Sequence, residues 1–122
     1  MTGAPRDLGI QYVEFAVGDV PAAKRFYGEA FGWTFQDYGP TYASFSNAAV
    51  DGGFNGETPE QVGRPLIILY AANLEDAQRR VERAGGHIVK PIFSFPGGRR
   101  FHFTDPAGNE LAIWSDRQAP NE

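Results

Sequence analysis

Few side chains in this 122-residue sequence are equipped for chemistry, and their spacing defines what it can attempt. Glu14 lies in an alternating run in which Val13, Phe15 and Val17 face one way and Tyr12, Glu14 and Ala16 the other. A carboxylate on the inward face of a central strand needs a partner, for which Arg99 and Arg100 are candidates, or it serves as a general base. A second carboxylate, Glu110, opens the last apolar run, where Glu110, Ala112 and Trp114 share a face and Leu111 and Ile113 the opposite one. With a tight turn at Asp105-Pro106-Ala107-Gly108, Phe103 falls opposite Glu110 and Phe101 opposite Ala112. These registers predict a cleft lined by Tyr12, Glu14, Phe101, Phe103, Glu110, Ala112 and Trp114, with Leu66, Ile68 and Tyr70 in the middle. An aromatic cleft with carboxylates at its edge suits a flat or cationic small molecule, held by stacking and cation–π contact. The same register turns His102 toward the helices. A slip of one residue would bring it into the cleft, where with Glu14 and Glu110 it would form an unusual metal set.

Composition excludes other chemistries. The absence of cysteine removes disulfide scaffolds, thiolate metal sites and cysteine nucleophiles. No glycine-rich phosphate loop precedes a helix, because Gly85-Gly86 follow one, and no serine occupies a nucleophile elbow. A net charge of −4, from 15 acidic and 11 basic residues, disfavours nucleic acid as a partner. The longest apolar run, Ile67 to Ala72, is far too short to span a membrane, and residues 1–8 hold no apolar signal region. The expectation is a cytoplasmic protein without membrane or nucleic-acid partners, folded as a single domain over residues 1–122.

The elements that position these residues occur twice. Shifting the chain by 54 residues lays Ile10–Trp33 over Arg64–His87, with identities at Ala23/Ala77, Arg25/Arg79, Ala30/Ala84 and Gly32/Gly86. Each copy reads as a strand, a helix cap (Asp19, Asn73), an amphipathic helix and a glycine stop. Short strands follow: Thr34–Asp37, Tyr42–Ser46 and Asp51–Phe54 in the first copy, Ile88–Phe93, Arg99–Thr104 and Glu110–Ser115 in the second. Module one spans about 9–54, a Gly/Pro/Glu-rich linker 55–64, and module two about 65–115. The result is an α+β fold of two βαβββ modules, with helices on one sheet face and a concave face opposite.

That order, together with Tyr12-Val-Glu-Phe-Ala-Val-Gly-Asp, Ala23-Lys-Arg-Phe-Tyr, Phe31-Gly-Trp, Ala84-Gly-Gly and Phe103-Thr-Asp-Pro-Ala-Gly-Asn, resembles the vicinal oxygen chelate superfamily. This group includes glyoxalase I, extradiol dioxygenases and bleomycin-binding proteins, and the small bacterial glyoxalase-like proteins are most similar. The resemblance implies a divalent cation held by His and Glu from the first and last strands of each module. The matching positions here are Tyr12, Leu66, Ala112 and one near Gly53 or Phe54, none of them such a ligand. The expectation is therefore a glyoxalase-like protein that binds a small organic molecule without metal or other cofactor. The alternative is a lyase or isomerase related to lactoylglutathione lyase, with Glu14 as base and a rearranged metal site. The family's habit of pairing and the 14 % aromatic content together lead to the expectation of a homodimer.

Overall fold

Strand alternation and helix caps account for the element order of the computed structural model, which describes residues 5–118; residues 1–4 and 119–122 of the expected domain lie outside the described residues. Module one runs β1 (Ile10–Ala16), α1 (Val20–Phe31), β2 (Thr34–Asp37), β3 (Tyr42–Ser46) and β4 (Asp51–Asn55). A short 3-10 turn at Pro59–Gln61 precedes module two. There the order is β5 (Leu66–Tyr70), α2 (Leu74–Arg83), β6 (His87–Phe95), β7 (Gly98–Thr104) and β8 (Glu110–Ser115). The fold is α+β, with the βαβββ pattern in both halves. One compact unit holds Tyr12–Leu66; the other combines 5–11 with 67–118. No helix among the described residues is long and apolar enough to cross a membrane.

Both helices start as their caps require. The Asp19 carboxylate accepts from the Ala22 amide at 3.0 Å, and Asn73 Oδ1 accepts from the Asp76 amide at 3.0 Å. Gly32 ends α1 at φ 76°, a left-handed conformation that a side chain would resist. In module one β1 runs parallel to β4, and β3 lies antiparallel between β4 and β2. Module two repeats this pairing, with β5 parallel to β8 and β7 antiparallel between β8 and β6. The first and last strands of each module therefore lie side by side, as they must if both are to present residues on one face.

The helix-facing cores differ in composition. Module one packs rings: Tyr27 stacks on Trp33 at 4.8 Å, Trp33 meets Phe45 at 4.7 Å, and Phe54 meets Tyr27 and Phe45 at 5.2 and 5.4 Å. Module two buries Ala71, Leu74, Ala77, Phe101 and Ile113 together. Adjacent glycines in β4 make the aromatic core possible. A Cβ on Gly52 would lie 2.2 Å from both Phe45 Cζ and the Val13 carbonyl oxygen. On the other face, a Cβ on Gly53 would lie 2.5 Å and 2.7 Å from the Tyr42 and Tyr12 hydroxyls. Each face of β4 is thus shaved to backbone so that aromatic side chains can cross it.

Gly52→Ala should therefore destabilise the fold by about 1–3 kcal/mol, because neither the ring nor the neighbouring backbone can move away without loss. Gly18→Ala, where a Cβ would meet nothing within 4 Å, should stay within about 0.5 kcal/mol of the parent. Equilibrium urea unfolding checks both, and equal stabilities would contradict the packing argument.

Candidate functional site

The strand face of module one that points away from α1 carries a polar cluster. Glu14, 6 % exposed, pairs in register with Gly53, so only backbone lies beside it on β4. The Tyr42 hydroxyl donates to Glu14 Oε1 at 3.0 Å, and Asn55 Nδ2 donates to Oε2 at 3.3 Å. Because Tyr42 spends its proton on Glu14, the 2.8 Å contact between hydroxyls has Tyr12 donating to Tyr42. Burial, reinforced by the charge of Glu14, pushes the Tyr42 phenol far above its ordinary value. Burial raises Tyr12 as well, so both phenols stay protonated donors. The cluster fixes one buried carboxyl in one orientation.

The corresponding face of module two is a row of rings. Tyr70 meets Trp114 edge-on at 5.3 Å, and Phe95 approaches Trp114 at 6.4 Å. The Arg100 guanidinium sits 5.7 Å from the Phe95 ring and 5.6 Å from Phe93, and Phe93 stacks on His102 at 5.8 Å. Polar handles hold the row at its ends: Trp114 Nε1 donates to Gln11 at 2.9 Å, and the Tyr70 hydroxyl donates to Asp116 at 2.7 Å. His102, 2 % exposed, has Nδ1 at 2.9 Å from Glu110 Oε2, while its Nε2 is buried without a hydrogen-bond partner among the described residues. Burial lowers the imidazole's pKa, with Arg100 and Lys90 acting in the same direction and Glu110 opposing them.

This arrangement corrects the expected β7–β8 register. Thr104, not Phe103, opposes Glu110, and His102, not Phe101, opposes Ala112. The loop holds three residues rather than two, because Asp105 and Asn109 pair across it and Gly108 takes φ 95°. A one-residue change flips every side chain of the strand. Phe101 therefore packs, fully buried, with Leu74 and Ile113, and Phe103 packs against the same core. They do not line the outer face, and His102 and Arg100 take their place. The Asp105 side chain, which accepts from the Ala107 and Asn109 amides at 2.9 Å, is the signal in the sequence that identifies the longer loop.

The other expected residues lie as follows. Tyr12 and Glu14 meet in the module-one cluster, and Glu110, Ala112 and Trp114 share the outer face of β8. Leu66 and Ala112 are buried, at 5 % and 0 % exposure. Arg99 forms a two-pronged pair with Glu75 and also donates to the Arg117 carbonyl, and these bonds tie the β6–β7 hairpin to the start of α2. Tyr42, Asn55, Phe93 and Phe95 are additions. Tyr42 was legible from its alternation with Ala43 and Phe45, whereas Phe93 was not, because β6 pairs irregularly on both sides of Lys90.

Two modules of one βαβββ pattern, each presenting a chemically equipped face opposite its helix, define a class of small α+β proteins. The family model described as the Glyoxalase/Bleomycin resistance protein/Dioxygenase superfamily matches residues 9–113, and the chain belongs to that superfamily. It is 32 % identical to an anthracycline biosynthesis protein, DauV, of Streptomyces sp. (strain C5), over 79 % of this chain and 42 % of that protein. It is 27 % identical to a putative glyoxylase, CFP32, of Mycobacterium tuberculosis (strain CDC 1551 / Oshkosh), over 84 % of this chain and 44 % of the other. The chain thus spans less than half the length of these curated relatives. The Mn(II)-bound glyoxalase of Novosphingobium aromaticivorans shares the fold at a TM-score of 0.65 and 23 % identity, over 93 % of this chain and 40 % of that one.

The cation that such relatives hold can be tested against the residues here. Tyr12 offers a phenol committed to Tyr42, Gly53 offers no side chain, and Leu66 and Ala112 are buried hydrocarbons. This donor set does not fit a divalent cation. Among the described residues, no group of three or more His, Cys, Asp or Glu side chains is placed to hold one.

The lowered pKa of His102 makes stability depend on pH. As pH falls below about 6.5, the unfolded chain takes up the proton before the folded chain does. The stability contributed by neutral His102 is complete above that pH, is lost on acidification, and levels off once the folded imidazole is also protonated. His102→Gln removes this component. The difference in unfolding free energy between parent and variant should therefore shrink between about pH 7.5 and pH 5. A constant difference across that range would contradict the assignment.

Proposed function

We propose that this protein binds a planar aromatic small molecule against the ring-lined face of module two, and that it does so without a divalent cation. The observation that carries the reading is the row of contacts from Tyr70 through Trp114, Phe95 and Arg100 to Phe93. Trp114, Phe95 and Phe93 are partly exposed and Tyr70 is buried. Rings already positioned in this way lose little rotamer freedom on binding, and an arginine laid over them adds cation–π attraction for a further ring. A relative named for anthracycline biosynthesis supports the choice, because anthracyclines are built on fused rings. In calorimetric titrations with an anthracycline, Trp114→Ala should weaken binding by about 1–3 kcal/mol, that is, about 5- to 150-fold. Unchanged affinity in the variant would remove Trp114 from the site, and no binding by the parent to any fused-ring probe would overturn the reading.

A second reading, a lyase or isomerase with Glu14 as base, is favoured by one observation: a buried carboxyl whose two oxygens each accept from a neutral donor. Such a group is preorganised to take a proton from a carbon acid. If so, Glu14→Gln should lower turnover of glyoxalase-type hemithioacetal substrates by at least about a hundredfold. Equal turnover in parent and variant would exclude Glu14 from the chemistry.

A further inference from the structure

The rings account for the area of the proposed site but not for His102. Its Nδ1 faces Glu110, and a carboxylate can only accept, so the ring proton resides on Nδ1 and Nε2 presents a bare lone pair. That lone pair is buried and receives no donor among the described residues. Folded chains rarely leave a buried acceptor unsatisfied, because the desolvation lost is not recovered. The ring is fixed on both sides, by Glu110 on β8 and by the stack of Phe93 on β6. Phe93 is 37 % exposed, and β6 carries register shifts between Ile88 and Lys90 and again between Lys90 and Phe93. Such irregularities re-aim side chains and loosen a ladder. The cover over a tightly held imidazole thus sits where the strand pair is irregular.

We propose that Nε2 of His102 accepts the proton of an aromatic hydroxyl, so that the ligand class is a phenol and Phe93 is the cover that shifts to admit it. The proposal rests on the ring-face reading and names the functional group that reading leaves open. The step balances without a co-reactant: the phenol O–H bond breaks, an N–H bond forms at Nε2, and the electron pair stays on the phenolate oxygen. The charges around the ring fit this transfer. Arg100 and Lys90 disfavour a lone imidazolium, whereas Glu110 favours it. A phenolate arriving together with the proton brings a negative charge next to the imidazolium it creates, so proton and anion are stabilised as a pair. A neutral ether of the same shape would gain the stacking and lose the transfer.

The test uses 4-nitrophenol and its methyl ether, 4-nitroanisole, titrated into the full chain at about pH 6, where free nitrophenol is mostly un-ionised. The parent should bind the phenol about tenfold or more tightly than the ether, and the bound probe should show the yellow phenolate absorbance. His102→Gln should abolish the phenolate signal and the preference while leaving ether binding intact. Glu110→Gln is a second, independent variant. Its amide can donate to Nδ1 and so move the ring proton to Nε2, which should also abolish the preference. Near-ultraviolet circular dichroism establishes that each variant is folded. Equal binding of phenol and ether by the parent, or an undiminished preference in both folded variants, would overturn the proposal and leave the ring face standing. Binding of neither probe would sink the ring face and the proposal with it.

Discussion

The hydrogen bonds that Asp105 makes to the amides of Ala107 and Asn109 hold the β7–β8 loop at three residues, and what module two can offer a ligand depends on that length. A strand has two faces and a period of two, so a loop one residue shorter would exchange them. Arg100 and His102 would then turn into the core, where neither could be neutralised, and Phe101 and Phe103 would leave it. The cost of burying unpaired polar groups and exposing two phenyl rings makes the observed register far more stable than its neighbour. Turn chemistry and core composition agree, and the site is what remains on the other face.

Module one solves a related problem with glycine. Its core is built of rings, and its outer face must bury a carboxyl. Both demands meet at β4, where Gly52 leaves room for Phe45 and Gly53 leaves room for the hydroxyls of Tyr12 and Tyr42. With any side chain at position 53, the two phenols could not meet above the strand, and Glu14 would lose the donor that Tyr42 provides. A buried carboxyl is tolerable only when its oxygens are satisfied. The glycine pair, the tyrosine pair and Glu14 therefore depend on one another, and no single member explains the others.

Much of this was legible in the sequence, and the reason differs by element. The bounds of β2, β3 and β8 match their alternation, and Asp19 and Asn73 cap their helices as their side chains predict, because these signals are local. Tyr12, Glu14 and Trp114 could be assigned to the faces opposite the helices for the same reason. Register is not local. It hangs on whether a loop has two residues or three, and Asp-Pro-Ala-Gly-Asn fits the longer loop only when the glycine is read as the left-handed residue and Asn109 as the partner of Asp105. β6 was harder still. It runs from His87 to Phe95, one residue before and two beyond the expected Ile88–Phe93, and its irregular pairing breaks the period from which Phe93 could have been placed.

The positions at which the resemblance implies metal ligands and the polar groups of the outer faces are different residues, for a structural reason. Ligands on the first and last strands face away from the helices, so replacing them with Leu66 or Ala112 leaves the helix-side core untouched. The fold therefore does not require the cation, and hydrocarbon at those positions adds burial instead. What the outer faces then hold is set by neighbours on the other strands: Tyr42 and Asn55 from β3 and β4, Arg100 and His102 from β7. Polar groups recruited there must satisfy one another, and in module one they do so through Tyr12, Tyr42, Glu14 and Asn55. In module two, pairing of His102 with Glu110 leaves one nitrogen over. Among the described residues, that nitrogen is a buried acceptor that no donor reaches.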